Sequence, residues 1–159
     1  VILVLVEGIS NEEMFILLTA AYFHDAGFLF KYQSNESEAV KLAREVLPEM
    51  DYTQEEIDEI CKIILATDIK VQPNTLLEKI MCDADHDYFG RKGYSQTADN
   101  LRKELEEYGD KFGDKEWLEV QINFLEEKHQ YYTETSKLNR TPNKNKIIAA
   151  LKVALVNSI

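Results

Sequence analysis

"LLTAAYFHDAGF", residues 17–28, brings an apolar stretch to an abrupt end on a histidine and an aspartate. Met14, Leu17, Leu18 and Ala21 recur at intervals of three and four, the period of an amphipathic helix. Continuing that rhythm, Asp25 falls four residues after Ala21, on the stripe expected to face a core, with His24 about 100° round the axis. An ionised carboxylate on such a stripe is costly unless it is paired or coordinates a cation. Gly27 follows at once, allowing the backbone to turn or another group to approach closely. Two readings are open. The pair is a helix end, with Asp25 leaning into water and His24 bonding a carbonyl, or it is half of a metal site.

Outward from this stretch the chain is helical throughout. Capping boxes are spelled at Ser10–Glu13, Thr53–Glu56 and Thr75–Glu78, with a looser version at Asn35–Glu38. Apolar spacing supports each start: Val40, Ala43, Val46 and Leu47; Ile57, Ile60, Ile64 and Leu65; Leu77, Ile80, Met81 and Ala84. Further helices are expected near residues 96–109 and 114–136, with the break in "EEYGDKFGDKEW" marked by Gly109 and Gly113. Thr141 before Pro142 reads as one more helix start, giving a C-terminal helix within residues 140–159. No stretch alternates polar and apolar residues long enough for a strand. The expected fold is all-α, one helical bundle over residues 1–159.

The 159 residues carry a net charge of −11, with 30% charged and 45% hydrophobic side chains. That balance describes a soluble globular chain. It argues against nucleic-acid backbone binding, which needs clustered Lys and Arg, and against an anionic membrane surface. Cys61 and Cys82 lie far apart in apolar helical patterns, which reads as reduced thiols in a cytoplasmic setting. "VILVLV" at residues 1–6 is too short to span a membrane and looks like the tail of a helix already under way. A native N-terminal piece is therefore expected before Val1.

A second stretch bears on the first. "MCDADHDYFGRKGY", residues 81–94, crowds Asp83, Asp85 and Asp87 at the end of the helix that starts near Thr75. Helix C-termini carry partial negative charge, so aspartates there are mutually and locally unfavourable unless a cation is near. Lys79, Arg91 and Lys92 offset part of that charge, which leaves an acidic helix end feeding a basic loop as the alternative. Asp85 follows Met81 by four and lies beside an apolar face. Two helices thus each deliver a carboxylate from the edge of the core, and oxygen with imidazole ligands suits Mn, Fe, Zn or Mg.

Taken together, "LLTAAYFHDAGF", "NESEAVKLAREVLP", "ATDIKVQP" and "MCDADHDYFGR" resemble the HD-domain superfamily of metal-dependent phosphohydrolases, in element order over roughly residues 5–135. The resemblance implies an all-helical domain that hydrolyses phosphomonoesters, phosphodiesters or nucleotides, with a small phosphorylated substrate as partner and a divalent metal ion as cofactor. By motif, His24 and Asp25 match the family's central ligand pair and Asp85 its last aspartate, with Asp83 competing for that role. The family's first histidine would precede Val1. Where many members carry a further histidine this chain has Asn35, a poorer ligand for a transition metal. Asp25 is also expected to orient the nucleophilic water, and Arg91, before Lys31 or Lys92, to grip a phosphate bidentately. The alternative is a catalytically depleted HD-fold module that binds a nucleotide or regulates; a plain helical interaction domain would make both motifs coincidence.

The remaining candidates have simpler expectations. His86 is expected at the surface, and His129 as a surface or packing residue. Phe124, Tyr131 and Tyr132 are expected to pack the bundle, and Thr67 and Asp68 to end a helix. Neither cysteine has the neighbour that would activate it.

Overall fold

The computed structural model describes residues 7–158. The apolar run at residues 1–6, read above as a helix tail, lies outside the described residues. Among the described residues there are seven α-helices and no strand, in agreement with the all-α expectation. They divide between two compact units, residues 1–85 and 86–159, each with its own apolar cluster.

The first unit contains α1 (Asn11–Phe23), α2 (Asn35–Val46), α3 (Gln54–Leu65) and α4 (Leu76–Asp85), with 3-10 turns at Ala26–Leu29 and Leu47–Met50. Its starts follow the capping chemistry. Ser10 and Glu13 exchange side-chain bonds with each other's backbone N–H, as do Thr53 and Glu56. At α4, Glu78 Oε2 accepts from the Thr75 N–H and Thr75 Oγ1 accepts from the Glu78 N–H, both at 3.2 Å. α2 departs from the expectation: Asn35 is its first helical residue and is buried, and Ser34 precedes it in a left-handed conformation without a side-chain cap. Ile16, Leu17 and Ala20 of α1 pack with Ala39, Ala43, Ile60, Ile64, Ile80 and Met81 into the core.

That packing corrects the register read for α1. Leu18 is exposed and Met14 only partly buried, so the inward stripe runs through Leu17 and Ala20. Four residues after Ala20 comes His24, not Asp25. At α4 the same kind of shift buries Asp83 and leaves Ala84 exposed.

Gly27 supplies close approach. A Cβ there would stand 1.8 Å from the Asn35 carbonyl oxygen, so the turn after α1 and the first residue of α2 meet backbone to backbone. Neither side can yield as a flexible side chain could.

The second unit contains a 3-10 turn (Asp87–Gly90), α5 (Tyr94–Glu107), α6 (Asp114–Asn123), a π-helical turn (Phe124–Lys128) and α7 (Glu134–Asn157). Two boundaries differ from the expected ones. The helix expected over 114–136 breaks at the π-turn, and α7 begins at Glu134, capped by Thr133 Oγ1 accepting from the Ser136 N–H. Pro142 therefore lies inside α7 and does not start it. Its ring deprives the Leu138 carbonyl of a partner, but Leu138 and Pro142 are both exposed, where water can bond that carbonyl.

A buried lysine ties α7 to the π-turn. Lys144 Nζ donates to the carbonyls of Leu125 (2.9 Å) and His129 (2.8 Å) and lies 3.3 Å from His129 Nδ1. The His129 ring is buried against Tyr131, Phe89 and His86. His86, expected at the surface, instead packs on the rings of Phe89 and His129. Burial, then the charge of Lys144, then His86 push the His129 pKa down to about 3. Burial likewise lowers that of Lys144.

Three outcomes concern stability. Gly27→Ala should cost the first unit about 3 kcal/mol, the upper part of the range for overpacking, read from urea unfolding. Because folding depresses His129, its contribution is present above the unfolded value of 6.5 and is lost as pH falls toward about 3. Hydrogen-exchange protection of α6 and α7 should therefore decline over that interval. Lys144→Met, which leaves two buried carbonyls without a donor, should cut protection there by about 2 kcal/mol at neutral pH.

Candidate functional site

α1 ends on His24, which still donates its backbone N–H to the Ala20 carbonyl at 2.9 Å. The chain then tightens into the 3-10 turn, with Asp25 at its N-terminal edge. This geometry points the imidazole inward and the Asp25 side chain outward: His24 is 18% exposed and Asp25 63%. The expectation that Asp25 faces the core is therefore corrected. Helix α4 brings Asp85 up to the same ring nitrogen, Nε2.

The imidazole is held at both nitrogens. Nδ1 lies 2.9 Å from the Ala21 carbonyl oxygen, which can only accept, so Nδ1 carries a hydrogen. Nε2 lies 3.2 Å from Asp25 Oδ2 and 3.6 Å from Asp85 Oδ1. Behind the ring, Asn35 Nδ2 donates a long 3.5 Å bond to the His24 carbonyl. Asn35, weighed as a replacement ligand, thus supports the backbone that carries His24. Asp83, the alternative to Asp85, is buried in the unit's interior at 1% exposure.

The electrostatics follow from this arrangement. Burial alone lowers the His24 pKa, but the Asp85 hydrogen bond, the Ala21 carbonyl and the two carboxylate charges together raise it above 6.5. Asp25 is also raised above 3.8: loss of hydration and the charge of Asp85 outweigh the pull of His24. Neither helix end supplies a basic residue in its last turn to offset the two carboxylates.

Among the described residues no group of three or more His, Cys, Asp or Glu side chains is arranged to hold a metal ion. His24, Asp25 and Asp85 form two contacts that share Nε2. Imidazole nitrogen and carboxylate oxygen are donor types that divalent cations take, and here one ring nitrogen and two carboxylate oxygens lie near each other.

The other candidates each have contacts of their own. Arg91 belongs to the second unit, where its Nε pairs with Asp87, a buried carboxylate that also takes Arg140 Nε at 2.5 Å. Arg91 and Lys92 line a hollow of about 350 Å³ with Asn143, Ile147 and Leu151. Thr67 and Asp68 close the end of α3, Thr67 Oγ1 donating to the Ile64 carbonyl and Asp68 accepting from the Lys70 N–H. Cys61 and Cys82 are free and buried, with the Cys82 thiol pushed up to about 12, first by burial and then by Asp85, Asp83 and Glu78. The Ala21 carbonyl, which fixes the tautomer, has no sequence signal because any residue could supply it.

NMR titration of the His24 ring should give a pKa above 6.5, and Asp85→Asn should bring it down. A raised value in the folded state means that this proton stabilises the fold below 6.5, and that the contribution is lost as pH rises through the folded-state pKa. An unshifted His24 that ignores Asp85→Asn would contradict the geometry.

No family model matches the chain, nor does any curated protein or any solved structure.

Proposed function

We propose that this chain is a metal-dependent phosphohydrolase of the HD type, with His24, Asp25 and Asp85 as the residues that hold a divalent cation. The observation that carries the reading is the state of His24. With a hydrogen fixed on Nδ1, Nε2 faces two carboxylate oxygens. Acceptors do not crowd a lone pair unless positive charge lies between them, and either a proton or a cation supplies it.

A divalent cation, when bound, supplies the Lewis acidity that makes water nucleophilic at neutral pH. The chain's own residues have distinct parts. His24 presents Nε2 because Ala21 holds the other nitrogen. Asp85, partly buried on the end of α4, fixes one side, and Asp25, the exposed carboxylate, is placed to orient water or take its proton. The substrate class is a phosphomonoester, a phosphodiester or a nucleotide.

The second reading is a depleted HD-fold module that binds a nucleotide without turning it over. Two observations favour it: Asn35 is turned to the His24 carbonyl, and among the described residues no closed ligand cluster is present.

Metal content separates the two. The purified chain, stripped and reloaded with Mn, Fe, Zn or Mg, should hold near-stoichiometric metal by elemental mass spectrometry, and Asp25→Ala and Asp85→Ala should lose it. With Mn present it should hydrolyse nitrophenyl phosphate or bis(nitrophenyl) phosphate, and either variant should lose about a hundredfold or more of that rate. Metal without turnover on any phosphoester supports the module. No retained metal under any loading refutes the hydrolase.

A further inference from the structure

Helix α1 is apolar on its outer face as well as its inner one. From Met14 to Phe23 it has no charged residue, whereas α2 and α3 present Lys41, Arg44, Glu59 and Lys62 to solvent. A solvated surface helix normally carries such charges opposite its core stripe. On α1 the opposite stripe is Phe15, Leu18 and Tyr22, spaced three and four apart and 53%, 43% and 86% exposed. At one end of the stripe the Phe15 ring stacks on Tyr52 with centroids 5.3 Å apart, and the Tyr52 hydroxyl lies 2.8 Å from Thr19 Oγ1.

Its surroundings are acidic. Phe15 also lines a hollow of about 450 Å³ bordered by Glu12, Glu13, Glu56 and Glu59. Glu13 and Glu56 are engaged in capping boxes, whereas Glu12 and Glu59 form no ion pair among the described residues. The imbalance extends over the unit. Counting Asp, Glu, Lys and Arg, residues 1–85 hold 17 acidic and 6 basic side chains, and residues 86–159 hold 12 of each. The entire net charge of −11 therefore resides on the unit that bears the apolar stripe.

We infer that the outer face of α1 is a docking surface for a basic amphipathic helix of a partner protein. Apolar side chains of the partner at three- and four-residue spacing meet Phe15, Leu18 and Tyr22, and its lysines or arginines meet Glu12 and Glu59. The apolar stripe supplies the buried contact, and the charge steers and orients the partner. The inference does not depend on the hydrolase reading, although Leu18 lies only about 9 Å along the helix from His24.

The test is fluorescence anisotropy of the full chain with a labelled 18-residue Leu/Lys peptide of helical period. A Ser/Lys peptide of equal charge and a Leu/Glu peptide serve as controls. Binding should be confined to the Leu/Lys peptide and weaken as salt rises. Leu18→Gln and Tyr22→Ser should each weaken it at least tenfold, with circular dichroism melting unchanged because both side chains face outward. Glu12→Gln with Glu59→Gln should weaken it several-fold and flatten the salt dependence. Equal binding of the Ser/Lys peptide, absence of binding, or indifference to the α1 substitutions would overturn the inference. So would sedimentation showing a dimer that Tyr22→Ser dissociates, because a second copy would then be the occupant.

Discussion

The candidate site depends on the contact between His24 Nδ1 and the Ala21 carbonyl. Once that carbonyl claims the Nδ1 hydrogen, the ring cannot rotate to relieve the far side, and Nε2 is left between Asp25 and Asp85. That position selects positive charge, whatever its source. The surrounding backbone then holds the choice in place. Asn35 donates to the carbonyl of His24, and Gly27, bare of a side chain, lets Asn35 come near enough to do so. Replacing either would act on the ring through the backbone.

The same point resolves an electrostatic conflict between two helices. α4 ends on Asp85, and Asp25 follows the His24 cap of α1, with no basic residue in the last turn of either helix. Each carboxylate therefore lies at the negative end of a helix dipole, and the two lie near each other. An isolated helix would not retain such an end. A charged imidazole shared by both carboxylates offsets the repulsion locally, and a divalent cation would do so more strongly. The carboxylates that raise the His24 pKa are those of the proposed metal site, where a proton and a bound metal would compete for Nε2.

Much of this was legible before any coordinates. Ser10–Glu13, Thr53–Glu56 and Thr75–Glu78 name their helix starts because capping is local and needs only four residues. Unfavourable charge at two helix ends marks Asp25 and Asp85 as a pair of carboxylates, and only the resemblance to the HD-domain superfamily groups His24 with Asp85. The register of α1 was not legible, because Met14, Phe15, Ile16, Leu17 and Leu18 are all apolar and a helix hydrophobic on every side has no period to read. The error placed Asp25 inward and His24 beside it, the reverse of what the packing sets. Pro142 misled for a related reason: proline fits a first turn, but it is also tolerated within a long helix on an exposed face. Lys144 gave no signal, since a lysine that will be buried under a π-turn looks the same in sequence as one in water.

His24, half-buried, and His129, buried, show how environment decides the sign of a proton's effect. His24 faces two carboxylates and holds its proton more tightly when folded, so acid favours its surroundings down through 6.5. His129 faces Lys144 and three aromatic rings, and it releases its proton on folding, so acid works against its surroundings below 6.5. Sequence cannot separate the two cases, because each is one histidine near charged neighbours. The separation comes from which charge the fold delivers: α4 brings a carboxylate to His24, and α7 brings an ammonium to His129. An ammonium donor at Nδ1 leaves a neutral ring fit only for packing, whereas carboxylates at Nε2 leave a ring that requires a cation. That difference, more than the presence of a His-Asp dipeptide, is why the proposed site is drawn around His24.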